Sequence, residues 1–445
     1  MKPLNRRSFL IDTGAVAAVV AAPLVKASWA GGSPNDTVRV AVVGLNGRGQ
    51  EHYREWAKLP NVEVAYLCDV DERVFPQHLT AMEKLSPKKP KTETDLRRIL
   101  DDKTVDAISV ATPDHWHALA TIWGCQAGKD VYVEKPASHN IFEGRRMVDA
   151  ARKYNRIVQT GMQSRSNKSV QAAMKFLHEG GIGDIYMAKG LCFKPRESIG
   201  KKPNAPVPAG LHYDLWLGPA AYRPFNPNYV HYNWHWFWDF GCADLGNQGP
   251  HQMDIARWGM NKTEFPVRIH CAGGMFVWES DQETPNTQME TLEFADGKIL
   301  QFEARGMYTN SEDGITIGNL FYGSKGWMHL NGSTWKTFMG RKNEPGPGMD
   351  AKAGASDPTN LLGTGDTGHF GNFIDAVRSR KIGDLNADIE EGHRSTAYCH
   401  LANIANRLKR QLQFDSNTES FVGDTQADGY LTRHYRAPYI VPDKV

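Results

Sequence analysis

The stretch VRVAVVGLNGRGQ, residues 38–50, decides the fold of the first half of this chain. Its opening six residues form a mostly β-branched apolar run, which is typical of a strand buried in a parallel sheet. A glycine turn, Gly44–Gly49, follows, and a helical pattern then extends to Lys58. A strand, a glycine turn and a helix in this order place unpaired backbone N–H groups where they can bind a pyrophosphate. The stretch therefore predicts a dinucleotide-binding Rossmann domain.

Five residues of the glycine turn are candidates for contact with the dinucleotide. The first glycine of such a fingerprint permits a tight turn and the last permits close packing of helix on strand, roles that fall here to Gly44 and Gly49. Asn46 and Gly47 stand where the pattern has its middle glycine, and asparagine adopts left-handed backbone more readily than most residues. We predict that these four residues and Arg48 bind the cofactor.

An acidic residue follows the second predicted strand, residues 62–67. Asp69 lies at the distance from the glycine turn at which the fingerprint places a carboxylate that binds the adenosine ribose hydroxyls. A carboxylate at this point repels a 2′-phosphate, so the sequence favours NAD over NADP as the cofactor. Arg48 and Arg73 leave NADP possible.

Two further predicted strands end in polar loops. Residues 105–111 lead into Thr112, and residues 131–133 lead into Glu134 and Lys135. In an open α/β sheet, ligands bind outside the carboxyl ends of the strands. We predict that the remaining cofactor contacts come from Thr112, His117, Glu134, Lys135 and Gln163.

These motifs together resemble the Gfo/Idh/MocA family, named for glucose–fructose oxidoreductase and inositol dehydrogenase. The resemblance rests on the glycine turn, Asp69, Thr112-Pro113 with His117, and Glu134-Lys135-Pro136, and it extends over essentially all of the chain beyond residue 33. It implies an α/β fold, in which a Rossmann domain, residues 34–160, precedes an α/β domain, residues 161–445, with a large, open, mainly antiparallel sheet. It also implies NAD(P)-dependent hydride transfer at a sugar or cyclitol carbon, with Lys135 in contact with substrate and nicotinamide ribose.

An aromatic stretch, YNWHWFWD at residues 232–239, is the most unusual part of the second domain. Tryptophan and histidine packed this densely can line a sugar site by stacking and hydrogen bonding, or can fill a buried aromatic core. The pattern leaves both interpretations open. We take His235 and Trp236 as candidates for substrate binding.

The family usually carries an aspartate four residues before a histidine at the entrance to a helix. His251 matches the histidine, whereas Asn247 occupies the aspartate position and Asp244 stands three residues earlier. An amide cannot accept a proton, so Asn247 can only orient the substrate or the histidine. We expect the helix to begin near Pro250, which suits a first turn. We predict Lys135 and His251 as catalytic residues, with Asn247 and Asp244 binding substrate.

Oxidation of a secondary alcohol requires a base at the hydroxyl while the nicotinamide faces the carbon. His251 is the predicted base, and Lys135 is expected to hydrogen-bond the same oxygen or to relay its proton. The leading function is oxidation of a sugar, glycoside or inositol, including exchange between two sugars on one retained cofactor. A redox-neutral, NAD-dependent glycoside hydrolase and a non-catalytic sugar-binding protein are the alternatives.

The N-terminus resembles a twin-arginine export signal. Arg6-Arg7-Ser8-Phe9-Leu10 precedes an apolar run, residues 15–25, and a small-residue cleavage site at Ser28-Trp29-Ala30. We predict that residues 1–33 are a signal, with a retained membrane anchor as the alternative. The signal implies the twin-arginine export machinery as a partner and a periplasmic location. An exported dehydrogenase must hold its cofactor tightly and regenerate it in place.

Composition narrows the classes of partner. The net charge of +2 over 445 residues provides no basic excess to attract nucleic acid. The six cysteines are widely spread without a CxxC pair, so no metal site is expected, and Cys68 and Cys125 fall in apolar runs typical of buried thiols. The family's exposed sheet faces imply a homo-oligomer. We expect a long loop at residues 341–365 and an extended tail, residues 425–445, suited to wrapping a neighbouring subunit.

Overall fold

The computed structural model describes residues 37–332, 334–349 and 368–445. The predicted export signal, residues 1–33, lies outside these ranges. Within them, no helix is long and apolar enough to cross a bilayer.

The first sheet has six parallel strands, as the apolar run at residues 38–43 predicted. They lie in the order β3-β2-β1-β4-β5-β6, so the order reverses between β1 and β4, where sheets of this kind bind their ligands. In chain order the strands are β1 Val38–Val43, β2 Val62–Cys68, β3 Lys91–Glu93, β4 Ala107–Val110, β5 Asp130–Val133 and β6 Val158–Thr160.

Five helices connect these strands. Those that pack on one face of the sheet share a core with Ile108 and Val131, and those on the other face share a core with Val40 and Val42. Burial on both faces explains why β1 lacks the alternation of a half-exposed strand. The helices are α1 Gly49–Lys58, α2 Phe75–Glu83, α3 Leu96–Asp101, α4 His117–Gln126 and α5 Ile141–Lys153.

The second sheet has ten strands in the order β14-β13-β12-β11-β7-β10-β9-β8-β15-β16. Only β7 and β10 pair in parallel among its described strands, which confirms the large, mainly antiparallel sheet. The strands are β7 Ile185–Cys192, β8 Arg268–Gly274, β9 Thr287–Glu293, β10 Ile299–Arg305, β11 Ile317–Gly323, β12 Gly326–Asn331, β13 Thr334–Met339, β14 Glu344–Met349, β15 Leu412–Asp415 and β16 Ser420–Phe421.

Three of the remaining helices, α6, α9 and α11, cover one face of this sheet, while His270 and Met289 are exposed on the other. Helices α8 and α9 are separate, and Pro250 lies in the first turn of α9, as predicted. The helices are α6 Lys168–His178, α7 Tyr213–Leu217, α8 Ala243–Asn247, α9 Gly249–Gly259, α10 Gly368–Ser379, α11 Ile389–Leu408 and α12 Thr425–Asp428.

One sequence-based expectation about the C-terminal part was wrong. Part of the predicted loop at residues 341–365 forms the edge strand β14, where proline is tolerated because one side of the strand needs no ladder hydrogen bonds. The tail packs on its own chain at Tyr439 and Val441, which are buried in the core of the first domain, and its contact with a neighbouring subunit stays a prediction. Burial of these apolar side chains removes them from water and thereby stabilises the fold.

Candidate active site

A cavity of about 280 Å³ lies at the carboxyl ends of β1, β2, β4 and β5. One wall comes from the first domain and includes the glycine turn, Asp69, Thr112 and Lys135. The opposite wall comes from the second domain and consists of Leu215, Trp216, His231, Tyr232, Trp234, His235 and Asn247. The cavity therefore lies at the reversal of strand order and between the two domains.

Steric requirements explain the glycine turn. A Cβ on Gly44, whose φ is +87°, would lie 2.6 Å from the carbonyl oxygen of Ala111, and one on Gly49 would lie 1.8 Å from that of Gly44. Gly47, at φ +114°, has open space beside it, so the left-handed backbone falls on Gly47 and not on Asn46. The turn thus presents bare backbone to the cavity at the start of α1.

Asp69 fastens this turn to the end of β2. Its Oδ2 accepts a hydrogen bond from the Leu45 N–H at 2.8 Å, and its Oδ1 accepts one from the Asp71 N–H at 3.0 Å. Burial raises the pKa of Asp69, while these two backbone donors oppose that rise. Each carboxylate oxygen can accept a second hydrogen bond, so ribose hydroxyls remain possible ligands.

The two arginines that left NADP possible are both paired. Arg73 donates to Asp71, with 2.6 Å between Nη2 and Oδ2, and Arg48 Nε lies 3.1 Å from Glu134 Oε1. A 2′-phosphate beside Asp69 would have to compete with these carboxylates. The arrangement fits NAD better than NADP.

Glu134 is the buried centre of a charged cluster. Its Oε1 lies 3.1 Å from His52 Nε2 and 3.0 Å from Gln163 Nε2, in addition to Arg48. Burial opposes ionisation, but the Arg48 charge, the His52 hydrogen bond and the Lys135 charge outweigh it and hold the pKa of Glu134 well below its usual range. Gln163 lies behind Glu134 and is not part of the cavity wall. His52 was not among the residues predicted from the sequence, although its position one helical turn after Arg48 was a usable signal.

His117 and Thr112 organise the loop that ends at Lys135. His117 Nδ1 lies 2.7 Å from the Pro136 carbonyl oxygen, and Nε2 lies 2.9 Å from that of Thr112, so the ring ties the ends of β4 and β5 together. Thr112 Oγ1 is buried without a partner among the described residues. Asp114 also lies in the wall and was not predicted, and its Oδ2 has no partner within the described part of the chain. Burial raises the pKa of Asp114 well above the usual range, and the Lys135 charge opposes this.

Lys135 connects the two walls of the cavity. Its Nζ donates to the backbone oxygen of Asn247 at 2.7 Å and to Oδ1 of the same residue at 3.1 Å. Burial lowers the pKa of Lys135, and the charges of Glu134 and Asp114 oppose this lowering. The structure thus brings together the predicted catalytic lysine and the predicted substrate-binding amide.

His251 lies in the first turn of α9, four residues beyond Asn247, which ends α8. Its Nδ1 is buried without a partner in the described part of the chain. Burial, together with the Lys135 charge, lowers the pKa of His251 to about 3, so the ring is neutral at physiological pH. His251 is not part of the cavity wall itself.

The other predicted substrate residues divide into two layers. His235 lies in the wall and stacks on Trp234, with 3.6 Å between ring centroids. Trp236 is buried outside the wall, and Asp244 is paired with Arg196 at 2.6 Å. Arg196 lies 5.1 Å above the Trp236 ring, so Asp244 and Trp236 support the site rather than face it. Arg196 follows β7 without any motif, which is why the sequence did not reveal it.

The aromatic stretch therefore combines both interpretations that the sequence left open. Tyr232, Trp234 and His235 line the cavity, whereas Phe237 and Phe240 belong to a buried cluster with Tyr229.

A dinucleotide fits this cavity. The bare backbone at Gly47, the carboxylate of Asp69 and the unpartnered Thr112 Oγ1 are suited to a pyrophosphate, a ribose and a further hydroxyl, respectively. Lys135 and Asn247 line the same cavity. Over the described residues there is no cluster of side chains suited to a metal ion.

Comparison with known proteins identifies the family. The model for the NAD-binding Rossmann fold of an oxidoreductase family matches residues 38–162, and the model for the C-terminal alpha/beta domain of that family matches residues 190–310 and 358–441. The chain belongs to the Gfo/Idh/MocA oxidoreductase family. The two models together cover more than half of the chain, so family membership rests on both domains.

Two similar proteins have names that refer to carbohydrates. A glycosyl hydrolase family 109 protein from Shewanella pealeana is 29% identical over 168 residues, 33% of this chain and 37% of its own length. A levoglucosan dehydrogenase from Pseudarthrobacter phenanthrenivorans is 32% identical over 114 residues, 26% of this chain and 28% of its own length. The chain thus spans about a third of the length of these relatives.

A solved structure shows the same fold. The WlbA dehydrogenase from Bordetella pertussis, in complex with NADH and UDP-GlcNAcA, has a TM-score of 0.62 and 19% identity over 85% of this chain and 99% of its own.

Proposed function

We propose that this protein is an NAD-dependent oxidoreductase that transfers a hydride from a hydroxyl-bearing carbon of a sugar, glycoside or inositol. The observation that carries the proposal is the position of Lys135. Its amine is fixed to Asn247 in the wall of a cavity that the glycine turn and Asp69 also line. A reactive group from one domain is thus held where the second domain can present a substrate.

The bound nicotinamide would supply the hydride acceptor. The residues of this chain would manage the hydroxyl proton that leaves at the same time. Lys135 faces the cavity and is the group that we place against the hydroxyl, because His251 is not in the wall. Burial lowers the pKa of Lys135, which favours an amine able to accept this proton, while the neutral ring of His251, four residues beyond Asn247, adds no second positive charge. Asn247 orients the amine through its two oxygens.

Sugar recognition is assigned to the second-domain wall. The stacked pair of Trp234 and His235 presents an aromatic face to the cavity, and the apolar face of a sugar ring packs well on such a surface. The levoglucosan dehydrogenase among the similar proteins supports a carbohydrate substrate.

A redox-neutral glycoside hydrolase is the second candidate. The similarity to a glycosyl hydrolase family 109 protein favours it, and it would use the same residues around a cofactor that is reduced and then reoxidised within one turnover. The presence of both Lys135 and His251 argues against a non-catalytic sugar-binding protein.

Export and assembly remain proposals of ours. The pair Arg6-Arg7 before an apolar run supports export of the folded protein by the twin-arginine route to the periplasm. The exposed face of the second sheet, which includes His270 and Met289, supports a homo-oligomer.

Two measurements on the purified protein test the function. Denaturation should release NAD(H) and not NADP(H), as identified by chromatography. Incubation with a panel of sugars, cyclitols and nitrophenyl glycosides then separates the candidates: lasting formation of NADH indicates net oxidation, whereas release of nitrophenol without net reduction indicates glycoside cleavage. Absence of both reactions across the panel, with NAD(H) bound, would count against an enzyme acting on these compounds.

A further inference from the structure

One segment of the second domain, Leu211–Phe240, spans the cavity from the side opposite the glycine turn; we call it the roof segment. It has a core of its own, which includes Trp216, Tyr229 and Phe240. Trp216 stacks on Tyr229 and meets Phe240 edge to face, with ring centroids 6.3 and 4.6 Å apart. A segment with its own packed core moves as a unit rather than as a flexible loop.

One edge of the roof segment is attached beside Asp69. Leu211 forms an antiparallel bridge with Asp71, and the His212 N–H donates to the Val70 carbonyl oxygen at 2.8 Å. His231, which lines the cavity, contacts the buried carboxylate of Asp71, with 2.9 Å between Nε2 and Oδ2. The His231–Asp71 contact joins the two walls at the end where Asp69 is placed to bind the adenosine ribose.

The other edge is attached above the loop that follows β4. His115 Nε2 lies 2.9 Å from the Trp216 carbonyl oxygen, and Trp116 Nε1 donates to the Leu215 carbonyl oxygen at 3.0 Å. Gly218 packs so closely on Trp116 that a Cβ there would lie 2.3 Å from the indole. The roof segment therefore contacts the first domain on both sides of the cavity.

The C-terminal tail holds the roof segment from outside. Arg436 donates to the Gly218 carbonyl oxygen at 3.1 Å and pairs with Asp214 at 2.5 Å. Tyr439 packs against Trp116 of the first domain, with ring centroids 5.5 Å apart. The tail thus connects the roof segment to the first domain a third time.

We propose that the roof segment closes over the bound dinucleotide, that His231 is its latch on Asp71, and that the nucleotide consequently stays bound from one turnover to the next. The inference rests on the proposed function only in taking NAD(H) as the nucleotide. It deepens that function, because exchange between two sugars and redox-neutral glycoside cleavage both need the same cofactor molecule to be reduced and reoxidised in place.

The test is the rate at which NADH leaves the full-length protein. Protein loaded with NADH is diluted into excess NAD⁺, and the loss of fluorescence from bound NADH gives the release rate without any substrate. We expect His231→Ala to release NADH at least about tenfold faster, the effect of losing one hydrogen bond to a charged group. His231→Gln can still donate to Asp71 and should stay within about threefold of the unaltered protein. The matched control is His178→Ala, at an exposed histidine of α6 whose Nε2 lies 2.7 Å from the Trp258 carbonyl oxygen.

The outcomes separate this inference from the proposed function. Equal release rates for His231→Ala and His178→Ala would overturn the latch, as would failure of the unaltered protein to bind NADH. If His231→Ala does not fold, Arg436→Ala is measured instead, because it removes the contacts of the tail with the roof segment. Faster NADH release than in the control supports the proposal, and an equal rate overturns it. If no sugar is turned over but NADH release is slow and depends on His231, the latch is supported and the assigned reaction is wrong.

Discussion

The two walls of the cavity are built on different physical principles. The first-domain wall combines the bare backbone of the glycine turn with polar side chains at strand ends, held by the buried Glu134 cluster, and the turn is fixed by close steric contacts. The second-domain wall is mostly aromatic and belongs mainly to a segment that has its own core. The first wall is suited to binding a ligand of fixed shape, the dinucleotide. The second wall is suited to selecting the substrate and to retaining the nucleotide.

The largest expected effect is a loss of turnover on replacement of Lys135, whose amine joins the two walls. Lys135→Met should lower turnover by about a thousandfold, within the range usual for loss of a general acid–base group. NADH should still bind, since the glycine turn and Asp69 are untouched. Lys175→Met, on the exposed surface of α6, is the control. Turnover within a few-fold of normal would show that the junction of the walls is not the site of proton transfer.

The second largest effect concerns the stability of the first wall. Glu134→Gln leaves the buried His52 and the partly buried Arg48 without their carboxylate, and loss of one partner from a buried charged pair costs about 3–5 kcal/mol. Urea unfolding should show this loss in the free energy of unfolding. Glu83→Gln, at an exposed glutamate of α2, should leave the midpoint unchanged. A loss below about 1 kcal/mol would mean that the cluster contributes little to stability.

The free energy of unfolding should fall in acid, because the buried His115 lies where the first domain contacts the roof segment. Burial lowers the pKa of His115 to about 3, with the Arg433 charge assisting, from an ordinary value of about 6.5. A folded-state pKa below the unfolded value means that, between pH 6.5 and 3, only the unfolded chain binds this proton. Stability due to His115 is therefore present above pH 6.5 and falls by about 1.4 kcal/mol per pH unit below it.

The matching experiment compares slopes rather than absolute stabilities. His115→Gln keeps a donor for the Trp216 carbonyl oxygen but cannot titrate, so its free energy of unfolding should fall less steeply between pH 6 and 4 than that of the unaltered protein. Parallel slopes for the two proteins would show that His115 is already protonated in the folded state.

The first wall could be predicted from the sequence more fully than the second, because different physical rules determine the two walls. The first wall is specified by local rules, since a tight turn needs Gly44 and close helix packing needs Gly49, and both are visible in the printed sequence. The second wall depends on packing between distant segments. Nothing local distinguishes Trp234, which faces the cavity, from Trp236, which lies under Arg196, because the backbone of a short irregular helix decides which ring turns inward.

Charged partners explain the remaining misses. Asp244 was assigned to the substrate because of its spacing from His251, yet Arg196, which lies 48 residues earlier, takes up its carboxylate. Asp114 carried no motif, and its importance comes from burial beside Lys135. A sequence shows which residues can ionise but not which of them meet in a dry cavity, so electrostatic pairing over long separations needs the fold first.

The smallest expected effect separates the two tryptophans and so sharpens the comparison within the second wall. Trp234→Leu removes the ring that stacks on His235 at the cavity surface and should raise KM for a sugar substrate about two- to tenfold, with NADH release unchanged. Trp236→Leu removes a buried ring beneath Arg196 and should lower the unfolding temperature while changing KM less. If both variants change KM equally, the division of this stretch into a sugar-binding layer and a supporting layer is wrong. If only Trp234→Leu changes KM, the substrate contacts a surface that cannot be identified from local sequence patterns.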